Sequence, residues 1–293
     1  MERRGGGLER ILGLKVDVDT YVGMRDGVPT LLSILADAGV RATFFLSVGP
    51  DASGRALFQL FKNPRFLKKM IRTGAPKLYG FRTALYGVFL PSPMIAAAFP
   101  DLVKSIIAAG HEVQFHAWDH RRWQDDLPER SSTWIREWFE RGIEAFERLT
   151  GFRPDAFGAP AWRIDERVMA EIPRYGFRYL SCTRASAPFV HQGTHLTEIP
   201  SDLPCFEEVD RERAIEKILA PLSRGGLHVL PVHAEVEGGI YRSYFIELLK
   251  NVQAMDCAVF TLSEILAMLP KKDLPERKFR MELLPGRAVP CAV

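Results

Sequence analysis

Cysteine is scarce in this chain of 293 residues. The four thiols (Cys182, Cys205, Cys257 and Cys291) are far apart and form no C-x-x-C pair. That argues against a disulfide scaffold and against a cysteine zinc cage, and scattered thiols suit a reducing compartment. No G-x-G-x-x-G follows the first apolar run and there is no Walker loop, so nucleotide phosphate binding lacks support. There is no internal repeat and no low-complexity segment. The uncharged run Thr83–Pro100 has 18 residues, near the lower limit for a membrane span. Pro91, Pro93 and Pro100 break any single helix through it, so no transmembrane helix is expected. The stretch MERRGGGLERILG is basic, but its apolar run is too short for a signal peptide. The expected location is cytoplasmic.

Acidic residues are absent from Ala52 to Pro100. Eight of the 39 basic residues lie there and none of the 36 acidic ones, so the segment carries +8 and the remainder −5. A basic segment on an acidic body suggests an anionic partner for that segment. Nucleic acid is a poor candidate, because the rest of the chain is net acidic and carries no recognition motif.

What is present is ordinary globular material. The chain is 47% hydrophobic and 26% charged, enough to bury a sizeable core and to exclude disorder. Apolar runs predict strands at Ile11–Asp19, Ala42–Val48, His111–Trp118, Ala156–Trp162, Phe177–Thr183, Leu227–His233 and Cys257–Leu262. Helical periodicity appears at Val28–Ala38, Asp101–Ala109 and Ser131–Thr150. Gly39, Gly110, Gly151 and Gly176 each end a helical pattern just before a strand, where glycine adopts the left-handed stop conformation. This is the grammar of parallel βαβ units, and seven strands fit a (β/α) barrel. We expect one catalytic domain over 1–293 with its core at about 12–268, an insertion at 52–100 and a C-terminal tail at 271–293. The first part of the insertion is amphipathic with a basic polar face, including Phe58, Phe61, Phe66, Lys68, Lys69 and Arg72.

Several residues that can do chemistry sit at predicted strand ends. Asp17 and Asp19 end the first strand and point to one face. They read equally as a cation-holding pair and as turn-capping aspartates. His116 and His120 end another strand in HAWDH. Two imidazoles and one carboxylate make a three-ligand site with open positions, and imidazole suits zinc and similar ions. Beside a strand ending in D-x-D, we prefer this over two surface histidines. His233 ends a third strand and can serve as a general acid. Glu235 and Glu237 follow it, either orienting it, binding substrate or standing in solvent. Trp162-Arg163 lies at a further strand end, where Arg163 either braces Asp17 or forms a surface ion pair. His111, His191, His195 and His228 are expected to be structural.

Together these pieces resemble the polysaccharide deacetylase (NodB-homology) family of metal-dependent amidohydrolases. The similarity runs from about Leu12 to Met268. Within that family the chain is most similar to the branch acting on undecaprenyl-phosphate-linked 4-deoxy-4-formamido-L-arabinose. The stretches that carry this are VDVDTYVGMRDGVPTLLSIL, FFLSVGPDASGR, EVQFHAWDHRRWQ, RYLSCTRASAPF and VHAEVEG. The resemblance implies an α/β fold, a distorted (β/α)7 barrel of the NodB-homology type with a basic, aromatic-rich insertion after strand 2. It implies Asp17 as general base, Asp19, His116 and His120 as ligands of one divalent metal ion, His233 as general acid and Arg163 as the brace of the base. Zinc fits the ligand types, and manganese or cobalt can replace it. Trp162, Arg184, Glu235 and Glu237 are candidate substrate contacts. One departure stands out. The family often places an aspartate near Ser181 to steady the final histidine, whereas here the chain reads Ser181-Cys182-Thr183-Arg184, and Cys182 supplies no such charge unless its thiol ionises.

The implied activity is hydrolysis of the formamide, giving formate and a 4-amino sugar lipid for lipid A modification and resistance to cationic peptides. The basic insertion suits a polyprenyl-phosphate sugar at the cytoplasmic leaflet of the inner membrane, with basic residues at phosphates and Phe58, Phe61, Phe66 and Leu67 in the interface. An extra helical layer on the barrel is the plainer account of the same residues. No obligate protein partner is expected. Two rival functions remain: deacetylation of N-acetylated glycans, and a lipid-phosphate-binding protein that has lost catalysis.

Overall fold

The computed structural model describes residues 9–56 and 85–293. The docking residues expected in the insertion, from Phe58 to Arg72, lie outside the described residues. The chain begins with β1 (Arg10–Val18), a π-helical turn, α1 (Val28–Asp37) and β2 (Thr43–Ser47). Beyond the insertion come α2 (Pro100–Ala108), β3 (Glu112–Ala117), α3 (His120–Asp126), α4 (Ser132–Thr150) and β4 (Ala156–Phe157). Next are α5 (Glu166–Glu171), β5 (Tyr179–Leu180), β6 (Phe189–His191), β7 (Thr197–Glu198), α6 (Ala214–Ser223) and β8 (Gly226–His233). The last elements are α7 (Arg242–Ala254), β9 (Ala258–Phe260), α8 (Leu262–Met268), β10 (Glu276–Arg277) and the paired β11 (Met281–Glu282) and β12 (Cys291–Ala292).

Strands β8, β1, β2, β3, β4, β5 and β7 lie side by side in that order, every neighbouring pair parallel. The Leu203 amide donates to the Val229 carbonyl at 3.2 Å and links the chain after β7 back to β8. The result is the expected distorted (β/α) barrel. β6 runs antiparallel to β7, and β10 adds to its far side.

β1 shows how the pattern makes the layers. Leu12, Leu14, Val16 and Val18 are fully buried in the outer core beneath the helices. Gly13, Lys15 and Asp17 alternate with them and so face inward. Inside the barrel, Phe45, Tyr179, Ile199 and Val229 pack on Leu262, Ile265 and Leu266 of α8. That helix closes the end where the strands begin. The opposite end, where they stop, is left for polar side chains. Helix starts are set by side-chain caps: Asp119 accepts from the Arg122 amide, Ser131 from Trp134, Asp165 from Val168 and Thr261 from Glu264. Gly39, Gly110, Gly151 and Gly176 take the left-handed backbone expected of them.

Three expectations need correction. The predicted strand Ala156–Trp162 pairs only over Ala156–Phe157 and then turns through a 3-10 segment at Pro160–Trp162. Phe177–Thr183 shortens to Tyr179–Leu180. Cys257–Leu262 is not the seventh barrel strand: β9 pairs with the start of β1, off the main path, and Leu262 already belongs to α8. β7 takes that place, and its two residues are too short to show a period. Among the described residues, no helix is long and apolar enough to cross a membrane.

Gly13 marks the close approach of α8 to the barrel wall. A Cβ there would lie 2.8 Å from Ile265 Cδ1 and 2.9 Å from Leu262 Cδ2. Gly13→Val should therefore lower unfolding free energy by about 1–3 kcal/mol, read from denaturant melts, whereas unchanged stability would mean that this seal is loose.

Candidate active site and metal centre

β1 delivers the first two groups. Asp17 is the register partner of His233 on β8, so the two occupy adjacent positions at one rim of the sheet. Both are nearly inaccessible to solvent. Asp19 lies just beyond the strand, one residue before a bend at Thr20.

His116 and His120 reach Asp19 by a route different from a single helical turn. His116 is on β3, and His120 is the first residue of α3. The sharp change from strand to helix at Asp119 brings the two rings to 5.2 Å. His116 Nε2 stands 3.1 Å from Asp19 Oδ1, and His120 Nε2 stands 3.2 Å from Asp19 Oδ2. His116 Nδ1 donates to the Gly158 carbonyl at 2.7 Å, which fixes the ring with its Nε2 turned toward Asp19. Burial pushes His120 down to about 4, so it is a neutral ring at neutral pH. Burial works against the Asp19 carboxylate, yet His120 and His116 outweigh it and hold that carboxyl well below the usual range. Asp19 Oδ1 and His120 Nε2 are buried without a hydrogen-bond partner among the described residues. Two imidazoles and one carboxylate, converging with orphaned ligand atoms, fit a divalent cation.

The group beside Asp17 is Lys15, not Arg163. Lys15 is fully buried two residues earlier on the same strand, and its Nζ donates to both Asp17 carboxylate oxygens. Its ammonium also lies 4.8 Å from the centre of Phe45 and 5.4 Å from that of Trp162. The Arg163 guanidinium instead bonds the Gln124 carbonyl at 2.5 Å, and the carboxylates near it are Asp125 and Asp165. A lysine in an otherwise apolar strand, one alternation before the aspartate, is the sequence signal for this contact.

Glu207, from the 3-10 turn Phe206–Glu208, faces His233 Nδ1 at 3.5 Å. Burial alone would lower the His233 pKa, but Glu207, with Asp19 and Glu237, raises it well above its ordinary value. Glu207 thus supplies the charge that Cys182 lacks. Cys182 is a buried thiol donating to the Phe157 carbonyl at 3.3 Å, and burial pushes its pKa well up. Spacing alone could not find Glu207, because no strand or helix period carries it to the rim.

The remaining candidates divide. Glu235 and Glu237 are buried at the rim, not solvated. Burial, reinforced by Asp19, raises Glu235 well above the carboxylate range, and burial with Glu207 carries Glu237 to about 8. Glu237 accepts the His233 backbone amide at 2.6 Å. Trp162 stands edge-on to His233 with ring centres 6.2 Å apart, its indole N–H without a partner among the described residues. Arg184 is not a free arm for substrate. Its Nε, Nη1 and Nη2 bond the Ser201 carbonyl, Glu208 and the Leu203 carbonyl. Cys205, Glu207 and His233 form a second cluster of ligand-type atoms. It is the poorer cation site, because Arg184 and Arg287 sit against Glu208 beside it and burial raises the Cys205 thiol well above its ordinary pKa.

The match to the family model described as polysaccharide deacetylase covers residues 9–180. The chain is 34% identical over 261 residues to the probable 4-deoxy-4-formamido-L-arabinose-phosphoundecaprenol deformylase ArnD of Shewanella sediminis, covering 87% of this chain and 85% of that protein. A protein of the same name from Wigglesworthia glossinidia brevipalpis is 31% identical over 277 residues, covering 91% and 96%. A Mycobacterium smegmatis crystal structure described as a polysaccharide deacetylase superposes with a TM-score of 0.66 at 22% identity, covering 97% of this chain and 98% of that one.

His120→Ala should weaken binding of a divalent ion by more than about 100-fold, since even partners behind a ligand are worth 10–100-fold. Elemental analysis after dialysis checks this, and full metal retention in the folded variant would remove His120 from the ligand set.

Proposed function

The chain belongs to the polysaccharide deacetylase family, a hydrolase acting on amides, and we propose that it removes the formyl group from 4-deoxy-4-formamido-L-arabinose carried on undecaprenyl phosphate. The observation that carries the reading is the meeting of Asp17, His233 and the Asp19–His116–His120 donors at one barrel rim. The choice of a formamide on a lipid-linked sugar is supported by the names of the two relatives aligned over most of the chain.

Asp19, His116 and His120 would hold the ion, for which zinc is the first choice and manganese or cobalt substitutes. A divalent ion there supplies Lewis-acid polarisation of the formamide oxygen and acidifies a water. Asp17, fixed by Lys15, is oriented to take the proton of the attacking water. As the water oxygen bonds to the formyl carbon, the carbon–nitrogen bond breaks. His233, held protonated by Glu207, gives its proton to the departing nitrogen. Formate and a 4-amino sugar lipid result, the latter serving lipid A modification and resistance to cationic peptides. Trp162, Glu235 and Glu237 line the rim where the sugar would lie.

The insertion is proposed to bring the enzyme to its lipid at the cytoplasmic leaflet of the inner membrane. Its charge supports this, as does Phe89, 75% exposed on the described turn at its far end. Arg55 is engaged elsewhere, with Asp126 at 3.2 Å. Neutralising Lys68, Lys69 and Arg72 together should weaken binding to anionic liposomes, by about 1 kcal/mol per charge, with metal content unchanged. Undiminished binding would remove the docking role.

The reaction is tested by incubating the metal-loaded protein with the formamido-arabinose lipid and following the lipid by mass spectrometry. Loss of the formyl group, abolished by chelator and restored by a divalent ion, is the expected result. An untouched formamide alongside turnover of an N-acetylated glycan would move the substrate and leave the chemistry.

Glu207→Gln tests the general acid. The proton on His233 is present below its folded pKa and lost as pH rises through it. Removing Glu207 lowers that pKa, so the alkaline limb of kcat should move to lower pH by about one unit or more. A limb that stays in place would show that another group limits the reaction at high pH.

A further inference from the structure

His233 is flanked by a strained piece of backbone. Ala161 and Trp162 have φ of 53° and 52°, although neither is glycine. Non-glycine residues persist in the left-handed region only where their surroundings hold them. Much of that hold comes from the distant C-terminal segment, beyond the residues matched by the family model.

Arg287 makes the connection. Its guanidinium lies 4.7 Å from the centre of the Trp162 ring, and Nη2 donates to the Ala161 carbonyl at 3.1 Å. Nη1 donates to Glu208 Oε1 at 2.8 Å. Glu208 also accepts the Cys205 amide at 3.1 Å, which pins the turn whose middle residue, Glu207, faces His233. The Arg184 amide donates to the Ala292 carbonyl at 2.8 Å, and Cys291 packs in one buried cluster with Trp162 and Cys205. Arg184 also stacks on Trp162, at 4.7 Å, and bonds Glu208 at 2.8 Å, but Arg287 adds the bond to the Ala161 carbonyl and so ties the strained Trp162 backbone to the Glu207 turn, the two structures on either side of His233. The metal ligands come instead from β3, the start of α3 and the residue just past β1, and none of them is a partner of Arg287 among the hydrogen bonds described above.

We propose that Arg287 is a positioning residue for the general acid, acting by clamping the Trp162 loop and the Glu207 turn around His233. Its role in turnover rests on the deformylase reading, but the clamp itself does not. A planar fork that stacks on an indole while bonding a carboxylate and a carbonyl is a task lysine performs poorly.

The test compares metal-loaded wild type, Arg287→Ala and Arg287→Lys. The first readout needs no substrate: the titration midpoint of His233, followed through its ring nitrogens by NMR. The titratable groups facing His233 are Glu207, Glu235, Glu237 and the Cys205 thiol, with the Lys15–Asp17 pair across on β1 and Asp19 just past its end. Losing the clamp lets Glu207 drift, so the midpoint should fall by about one unit or more in Arg287→Ala and by less in Arg287→Lys, with metal content unchanged in both. The second readout is kinetic: kcat on the formamido lipid should fall by about 10–100-fold in Arg287→Ala, the size expected of a misplaced catalytic group, with KM nearly constant. Should the alanine variant fail to fold, the lysine variant carries the test with the same directions. A His233 midpoint that does not move in a folded variant overturns the clamp, whatever the activity. Wild type that leaves the lipid intact, with the midpoint shift still seen, would instead overturn the deformylase reading and leave the clamp standing.

Discussion

A lysine and an aspartate buried together on one strand set the conditions for the rest of the rim. Lys15 is wholly inaccessible and Asp17 nearly so, and they bond each other. Removing either partner of such a pair leaves an uncompensated charge and costs about 3–5 kcal/mol. Their alternation with Leu14, Val16 and Val18 directs them inward while the apolar residues meet the helices. Neighbouring groups then have to match the charges already in place. Phe45 and Trp162 offer ring faces to the ammonium, and His233 stands beside Asp17 across the strand register.

The same logic separates the roles of chemically similar groups. His120 and His233 are both buried imidazoles, but they are pushed in opposite directions. Burial prevails at His120 and leaves a neutral ring suited to an ion. At His233 the carboxylate of Glu207 overcomes burial and keeps the ring protonated. The carboxyls divide likewise: Asp19 stays ionised between two imidazoles, while burial holds Glu235 in its neutral form. Acid, ligand and hydrogen-bond donor thus arise from position within one rim rather than from residue type.

The groups found in the sequence were those attached to periodic elements. Asp17, Asp19, His116, His120 and His233 follow runs whose apolar patterns mark strands, so their common rim could be inferred. Lys15 is hard to read from sequence because a buried lysine contradicts the usual expectation for its type, whereas Arg163, at a predicted strand end, fits the expectation for an exposed cation. Glu207 and Arg287 escaped for a different reason. They lie in a short turn and in the tail, and reach the rim only through tertiary contacts. β6, β7 and β10 run two or three residues each, too few to show alternation, so the barrel's closing strand was sought in Cys257–Leu262. The strand-to-helix turn that joins His116 to His120 was legible as spacing but not as geometry.

Where a divalent ion settles decides the assignment of the rim. Crystals soaked in zinc and measured at its absorption edge would show this directly. One strong anomalous peak is expected, about 2.0–2.2 Å from an Asp19 oxygen and the Nε2 atoms of His116 and His120. A peak instead among Cys205, Glu207 and His233, or none at either cluster, would contradict it.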